Sequence, residues 1–143
     1  MAYHMYVSLQ GDDAILRFSM DTDTGALELL EKVSVAGGPA PLVMSPERDY
    51  LYVGRRAVCA LASYSIDQQT GALTDLGSVP LDAEPCYLGI DRSGNYVFSA
   101  YYAAGKAAVH PIDGNGVAHG PPVEWRDTAT GAHHTAPSHH LMG

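Results

Sequence analysis

The sequence predicts an all-β fold made of repeated four-stranded antiparallel units. The first observation is a repeat, because Thr24-Gly25-Ala26-Leu27 recurs as Thr70-Gly71-Ala72-Leu73 at an offset of 46 residues (70 − 24). The second is that no stretch keeps apolar residues at the i, i+3, i+4 spacing of a helix. The third is composition: 15 Gly and 9 Pro supply turns, while 9 Tyr and frequent Val favour short strands between them.

The same offset recurs at other positions along the chain. It relates Pro39 to Pro85, Tyr50 to Tyr96, and Asp21 to Asp67 and then to Asp113. Because several independent positions share one offset, chance explains the echo poorly, and the chain is predicted to be a repeat protein.

The fullest copy holds four strand-like runs separated by turns. The runs are Leu42–Met44, Tyr50–Val53, Leu61–Ile66 and Leu73–Val79. The apolar residues of the last run are too widely spaced for burial throughout, which predicts an exposed edge strand. Four strands in about 45 residues are typical of a β-propeller blade, in which sheets pack radially around a channel. A β-sandwich predicts frequent turns, but no echo of specific turns at this distance.

The start of the chain aligns with the second strand of a blade. The first blade, with strands within 3–36, is therefore expected to lack its innermost strand. Two complete blades are predicted at 39–84 and 85–130, and 132–138 occupies the position of a further innermost strand. The prediction is a single partial propeller domain over 1–143, with about three blades.

Charge and hydropathy exclude some function classes. Sixteen acidic against 8 basic residues give a net charge of −8, which disfavours nucleic acid as a partner. No basic amino-terminal region precedes an apolar stretch, and no stretch reaches the ~20 apolar residues that span a bilayer. Cys59 and Cys86 are isolated and are expected to be buried, reduced thiols. We therefore expect a cytoplasmic protein with no membrane partner.

One repeat resembles a known family. The segment 39–54, Pro-Ala-Pro-Leu-Val-Met-Ser-Pro-Glu-Arg-Asp-Tyr-Leu-Tyr-Val-Gly, is similar to the blade motif of the seven-bladed β-propeller lactonases. Segments 85–94 and 102–106 agree with it, and the likeness runs from Tyr6 to Ser138. The family includes the propeller type of 6-phosphogluconolactonase and the fungal-type carboxymuconate-lactonizing enzymes. The resemblance implies a propeller acting on a small anionic lactone.

The sequence departs from the family in two places. Tyr101 stands where members usually carry Asn, and after Ser138 a member would continue with another apolar strand and four further blades. The resemblance therefore implies either a truncated piece or copies that associate to close a ring. A homodimer with six blades is the predicted ring, in which segment 132–138 of each copy completes the first blade of the other.

Arg55 and Arg56 are the predicted anion-binding residues, because a planar and permanently charged guanidinium suits a phosphate or carboxylate. Arg56 matches an arginine common in the family, whereas Arg55 does not. The alternative is a solvated pair beside Glu47 or Asp49. As a catalytic residue, Arg56 could also supply a donor to the oxyanion that develops in lactone hydrolysis.

Tyr102 and His133 complete the predicted site by resemblance. Tyr102 matches a family tyrosine whose hydroxyl faces the channel, and a blade-packing aromatic is the alternative. His133 corresponds to a family histidine at the start of an innermost strand, where it could act as a general base on water. The histidine-rich stretch 133–140 is a weak metal pattern without rigid support, so neither a metal nor a cofactor is predicted.

Three functions are compatible with these patterns. The leading hypothesis is hydrolysis of a sugar-acid lactone such as 6-phosphogluconolactone by a closed ring, with His133 and Arg56 as catalytic residues and Arg55, Arg56 and Tyr102 binding substrate. The alternatives are a non-enzymatic propeller fragment or oligomeric binding scaffold, and a carboxymuconate cyclase-like activity on the same fold.

Overall fold

A computed structural model describes residues 2–121 and 123–126 as three antiparallel β-sheets, in each of which neighbouring strands follow chain order. The first sheet contains β1 (Ala2–Leu9), β2 (Ala14–Asp21) and β3 (Leu27–Ser34). The second contains β4 (Pro39–Met44), β5 (Tyr50–Arg55), β6 (Ala60–Ile66) and β7 (Leu73–Pro80). The third contains β8 (Tyr87–Ile90), β9 (Tyr96–Tyr101), β10 (Lys106–Pro111) and β11 (Val123–Arg126).

The predicted fold class is confirmed. The three sheets are blades. The first blade has three strands, and the offset of 46 aligns its first strand, β1, with β5, the second strand of the second blade. β7 is largely exposed, as its pattern predicts. The described residues contain no α-helix, but a short 3₁₀ helix at Gln10–Asp12 was not predicted. The predicted strand at 132–138 lies outside the described residues.

An aspartate shapes the turn between the last two strands of each blade. Oδ1 of Asp67 accepts hydrogen bonds from the backbone N–H groups of Gln69 at 2.9 Å and Thr70 at 2.8 Å. These bonds lower the pKa of the Asp67 carboxyl, since they favour its charged form. Gly71 closes the turn at φ 72°, a left-handed conformation that favours glycine. The repeated Asp-x-x-Thr-Gly therefore encodes a turn.

Two apolar cores lie between neighbouring blades. Successive side chains of a strand point to opposite faces, so Leu51 and Val53 pack towards the first blade while Tyr52 packs towards the third. The core between the first and second blades also contains Ile15, Val35, Ala62, Tyr64 and Ile66. The core between the second and third also contains Leu61, Leu81, Leu88, Val97, Tyr101, Ala108 and Ala118. The second blade is therefore covered on both faces, as propeller packing requires.

Candidate functional site

One end of the sheets gathers the loops that carry the predicted site. These loops are 35–38 and 81–86, which join successive blades, and 56–59 and 102–105, which join the second and third strands of a blade. The backbone N–H of Arg56 donates to the carbonyl oxygen of Gly38 at 2.9 Å, and that of Leu81 donates to Cys59 at 2.7 Å. We call this end, defined by the four loops, the loop end.

Arg56 follows β5 at the loop end and pairs with an acid from the next blade junction. Its Nη2 lies 2.8 Å from Oε1 of Glu84, and its side chain is 32% exposed. The alternative partners Glu47 and Asp49 are wrong, because they lie in the turn between β4 and β5 at the opposite end. The ion pair thus joins the second blade to the loop that begins the third.

The guanidinium of Arg56 retains hydrogen-bonding capacity. Its Nε is buried and has no hydrogen-bond partner among the described residues. An unpaired buried donor is costly, and an oxyanion could relieve that cost only if the Arg56 side chain turned to expose Nε. Glu84 is 46% exposed, and exposed ion pairs contribute only about 0–1 kcal/mol. An incoming phosphate or carboxylate could therefore displace Glu84 at little cost and take a bidentate position.

Arg55 is directed to different neighbours. Its Nε donates to the carbonyl oxygen of Ala36 at 2.6 Å, and its Nη1 donates to Oγ of Ser78 in β7 at 3.2 Å. These contacts tie the 35–38 loop to the outer edge of the second blade. The structure therefore does not bring the two arginines to one point, and the contacts of Arg55 support a positioning role.

Tyr102 occupies the repeat position of Arg56 in the third blade, 46 residues later (102 − 56). Its side chain lies in the turn after β9 and is 54% exposed. Tyr101 is 2% exposed, and its hydroxyl lies 2.7 Å from Oγ of Ser99. Tyr102 is thus the member of the pair that is accessible at the loop end.

The first blade contributes an equivalent position that was missed in the sequence. Gln10 lies 46 residues before Arg56, and its Cγ is 3.4 Å from where a Cβ on Gly38 would lie. Gln10, Arg56 and Tyr102 therefore recur at the loop end of three consecutive blades. Gln10 could have been identified from the sequence by subtracting the repeat offset of 46 from the position of Arg56.

A buried lysine cluster supports the junction that carries Glu84. Nζ of Lys106 contacts Asp82 and lies 2.8 Å from Oε1 of Glu124, and its side chain is 3% exposed. Burial lowers the pKa of Lys106, but its hydrogen bonds to the two carboxylates outweigh that effect and raise it. The bond to Lys106 in turn lowers the pKa of Asp82. This cluster joins the 81–86 loop to β10 and β11.

Several expectations receive no structural description. His133 lies outside the described residues, so its position relative to Arg56 stays a prediction. Over 2–121 and 123–126, no cluster of three or more His, Cys, Asp or Glu side chains could hold a metal. In the same part of the chain, no helix is long and apolar enough to cross a membrane. Both cysteines are free thiols, but they are half-buried rather than buried.

Comparisons place the chain among known proteins. Residues 4–142 match the family model described as "Lactonase, 7-bladed beta-propeller". A protein of Serratia proteamaculans named 6-phosphogluconolactonase is 38% identical over 112 residues, covering 78% of this chain and 33% of that protein. A protein of the same name from Pectobacterium atrosepticum is 39% identical, with the same coverage of both chains. The chain thus spans about a third of the length of the curated relatives it matches.

Solved structures show the same fold. The crystal structure of a putative 6-phosphogluconolactonase from Bacteroides uniformis matches with a TM-score of 0.76 and 22% identity, covering 85% of this chain and 36% of that one. A periplasmic gluconolactonase from Pseudomonas aeruginosa matches with a TM-score of 0.75 and 20% identity, covering 83% and 35%. The family match over nearly the whole chain identifies it as a member of the seven-bladed β-propeller lactonase family.

Proposed function

We propose that this chain supplies the anion-binding part of a lactonase site that hydrolyses a sugar-acid lactone, such as 6-phosphogluconolactone, within a closed ring of blades. The observation that carries the proposal is the guanidinium of Arg56, held at the loop end by Glu84 with its buried Nε unpaired among the described residues. The relatives named 6-phosphogluconolactonase support this choice of substrate.

In this proposal Arg56 binds the phosphate or carboxylate of the substrate, and Tyr102 orients the sugar ring from the next blade. His133 acts as a general base on water, which attacks the lactone carbonyl carbon. The carbonyl–ring oxygen bond then breaks, and the ring oxygen becomes a hydroxyl by taking the proton that His133 removed from water. Arg55 ties the 35–38 loop to β7 through its bonds to Ala36 and Ser78. No cofactor enters this reaction.

Partners and location belong to the same proposal. The partners are a small anionic lactone and the further blades that close the ring, with a second copy of this chain as their source. A cytoplasmic location is supported by the two free thiols, which a reducing compartment preserves.

A non-enzymatic scaffold is a second candidate, favoured by one observation. The third blade exposes large apolar side chains on one face, including Trp125, which is 53% exposed. Contiguous apolar patches of this kind mark interaction surfaces. An assembled ring without hydrolase activity would favour the scaffold over the lactonase.

The test measures the rate at which the full chain hydrolyses 6-phosphogluconolactone, at a protein concentration at which copies of the chain associate. The rate of spontaneous hydrolysis is subtracted. Arg56→Ala is expected to lower kcat/KM by about 10–100-fold, the value of a charge-assisted hydrogen bond of about 1.5–3 kcal/mol. His133→Ala is expected to lower kcat by about 10²–10⁴-fold. Arg92→Ala, an exposed arginine in the turn after β8 at the opposite end, is the matched control. Unchanged rates in both site variants would reject the assignment.

A further inference from the structure

The turn after β1 places a neutral amide at the loop end. Gln10 begins the short 3₁₀ helix that joins β1 to β2, and its side chain is exposed. It stands 46 residues before Arg56 and 92 residues before Tyr102 (102 − 10). Three successive blades therefore present an amide, a guanidinium and a phenol at one repeat position, and the guanidinium is the charged group among the three.

Hydrogen bonds fix the turn that carries Gln10 to the 35–38 loop. Oδ1 of Asp13 accepts from the backbone N–H of Gly38 at 2.7 Å. The carbonyl oxygen of Asp13 accepts from the backbone N–H of Val35 at 2.8 Å. Asp13 thus holds the loop at both of its ends, three residues after Gln10.

The same loop is bonded to the turn that carries Arg56. The backbone N–H of Arg56 donates to the carbonyl oxygen of Gly38 at 2.9 Å, and that of Ala57 donates to the carbonyl oxygen of Gly37 at 3.0 Å. Because one short loop is bonded to both turns, the turn of the first blade and that of the second are held in a fixed relation.

Gly38 lies between Gln10 and the residue after Arg56. A Cβ on Gly38 would lie 3.4 Å from Cγ of Gln10 and 3.2 Å from Cβ of Ala57. Cγ of Gln10 and Cβ of Ala57 are therefore at most 6.6 Å apart (3.2 + 3.4). A ligand of the size of a sugar phosphate spans that distance, so one molecule can contact both turns.

The amide differs from a charged group in what it can recognise. A primary amide donates through its nitrogen and accepts through its oxygen, and a sugar hydroxyl also does both, so the two groups pair in either direction. A carboxylate only accepts hydrogen bonds, and a second anionic group would meet no cation at position 10. Gln10 beside Arg56 therefore suits a ligand with one anionic group and neighbouring hydroxyls.

We propose that Gln10 is a specificity-determining residue of the loop end, which hydrogen-bonds a hydroxyl of the ligand while Arg56 binds its anionic group. The arrangement selects a hydroxyl-rich ligand with one anionic group over a polycarboxylate such as carboxymuconate. This inference rests on the proposed function in one respect, since Arg56 must bind the anion.

The test measures the binding of two phosphate esters to the full chain by isothermal titration calorimetry. Glucose 6-phosphate carries ring hydroxyls, and ethyl phosphate carries none. Gln10→Leu is expected to weaken the binding of glucose 6-phosphate by about 2–10-fold and to leave that of ethyl phosphate unchanged. Arg56→Ala is expected to weaken the binding of both esters. Gln69→Leu, which changes an exposed glutamine in the turn between β6 and β7 at the opposite end, is the matched control.

A second variant tests how close Gln10 lies to the bound anion. Gln10→Glu has almost the same shape but carries a charge, so it is expected to weaken the binding of both esters, and more strongly at low ionic strength. Because Gln10 is exposed, both variants are expected to fold, and thermal unfolding verifies this.

Each other outcome overturns the inference. Equal losses for the two esters in Gln10→Leu, or a loss for neither, would show that position 10 does not recognise hydroxyls. Neither ester is a lactone, so the two proposals fail separately. Selective binding through Gln10 without hydrolysis of 6-phosphogluconolactone rejects only the proposed function. Hydrolysis that depends on Arg56, with unchanged ester binding in Gln10→Leu, rejects only the inference, and a wild type that binds neither ester rejects both.

Discussion

The Tyr52 hydroxyl donates a 2.9 Å hydrogen bond to the carbonyl oxygen of Gly116, which joins the second blade to the third. An equivalent bond joins the first blade to the second, where the Tyr6 hydroxyl donates to the carbonyl oxygen of Gly71 at 2.5 Å. The two tyrosines are 46 residues apart (52 − 6), so the repeat preserves the polar contact between blades as well as the strands. Burial raises the pKa of both phenols, which keeps them protonated as donors.

Tyr52→Phe is expected to reduce the free energy of unfolding by about 1–3 kcal/mol, because the buried carbonyl of Gly116 loses its donor without a change in packing. Urea denaturation measures the difference. Tyr96→Phe is the matched control, since Tyr96 is 44% exposed. Equal midpoints for the two variants would show that the bond between blades contributes nothing.

Gly71→Ala is expected to destabilise the chain by more than Gly94→Ala. Both glycines have positive φ, 72° and 73°, so each substitution incurs about 1–2 kcal/mol of left-handed backbone strain. A Cβ at Gly71 would also overlap the His4 ring, whereas the nearest atom at Gly94 is Cδ of Pro46 at 3.4 Å. Overpacking adds about 1–3 kcal/mol at Gly71. Equal losses in urea denaturation would show that the blades adjust without cost.

Stability is expected to fall as the pH drops below about 6.5, the ordinary pKa of histidine. His110 is fully buried, where Nδ1 donates to the carbonyl of His119 at 3.1 Å and Nε2 accepts from Ser99 at 2.8 Å. Burial lowers the pKa of His110 in the folded state, so the unfolded chain binds the proton first on acidification. One such group changes the free energy of unfolding by at most about 1.4 kcal/mol per pH unit.

His110→Tyr provides the control for that pH dependence, because tyrosine occupies the equivalent position 64 of the second blade. This variant removes the titrating group, and its stability between pH 6.5 and 5 is expected to vary less than that of the wild type. Identical pH profiles by urea denaturation would exclude His110 as the cause.

Glu84→Gln is expected to strengthen binding of an anionic lactone. The carboxylate of Glu84 competes for Nη2 of Arg56, and an exposed ion pair contributes up to about 1 kcal/mol. Its removal is therefore expected to lower KM by up to about fivefold with little change in kcat. A KM that rises would show that Glu84 instead holds Arg56 in its productive position.

Much of the fold could be predicted because the residues that form each repeated turn lie close together in the sequence. The offset that relates Asp21 to Asp67 reflects one turn built twice, with the carboxylate accepting from the same two backbone positions each time. Strand positions followed from those turns, although β4 begins at Pro39, three residues earlier than its apolar run. The 3₁₀ helix at Gln10–Asp12 was missed because it has no counterpart in the other blades.

The candidate site could be predicted only in part. Arg56 was chosen for its guanidinium and its match to the family, and Tyr102 for its match to the family, and their roles in binding substrate stay predictions. The ion-pair partners of the charged residues could not be predicted from the sequence. Glu84 and Arg56, for example, are separated by 28 residues (84 − 56) and meet only where one blade joins the next. Lys106 was missed for the same reason, because its two carboxylates come from a loop before it and a strand after it.

The most direct test of the account is the substrate selectivity of Arg56→Ala. The measurement is the ratio of kcat/KM for 6-phosphogluconolactone to kcat/KM for unphosphorylated gluconolactone. If Arg56 binds the phosphate, the ratio is expected to fall by about 10–100-fold in Arg56→Ala and to stay unchanged in Arg92→Ala. A ratio that is the same in the wild type and Arg56→Ala would contradict the account.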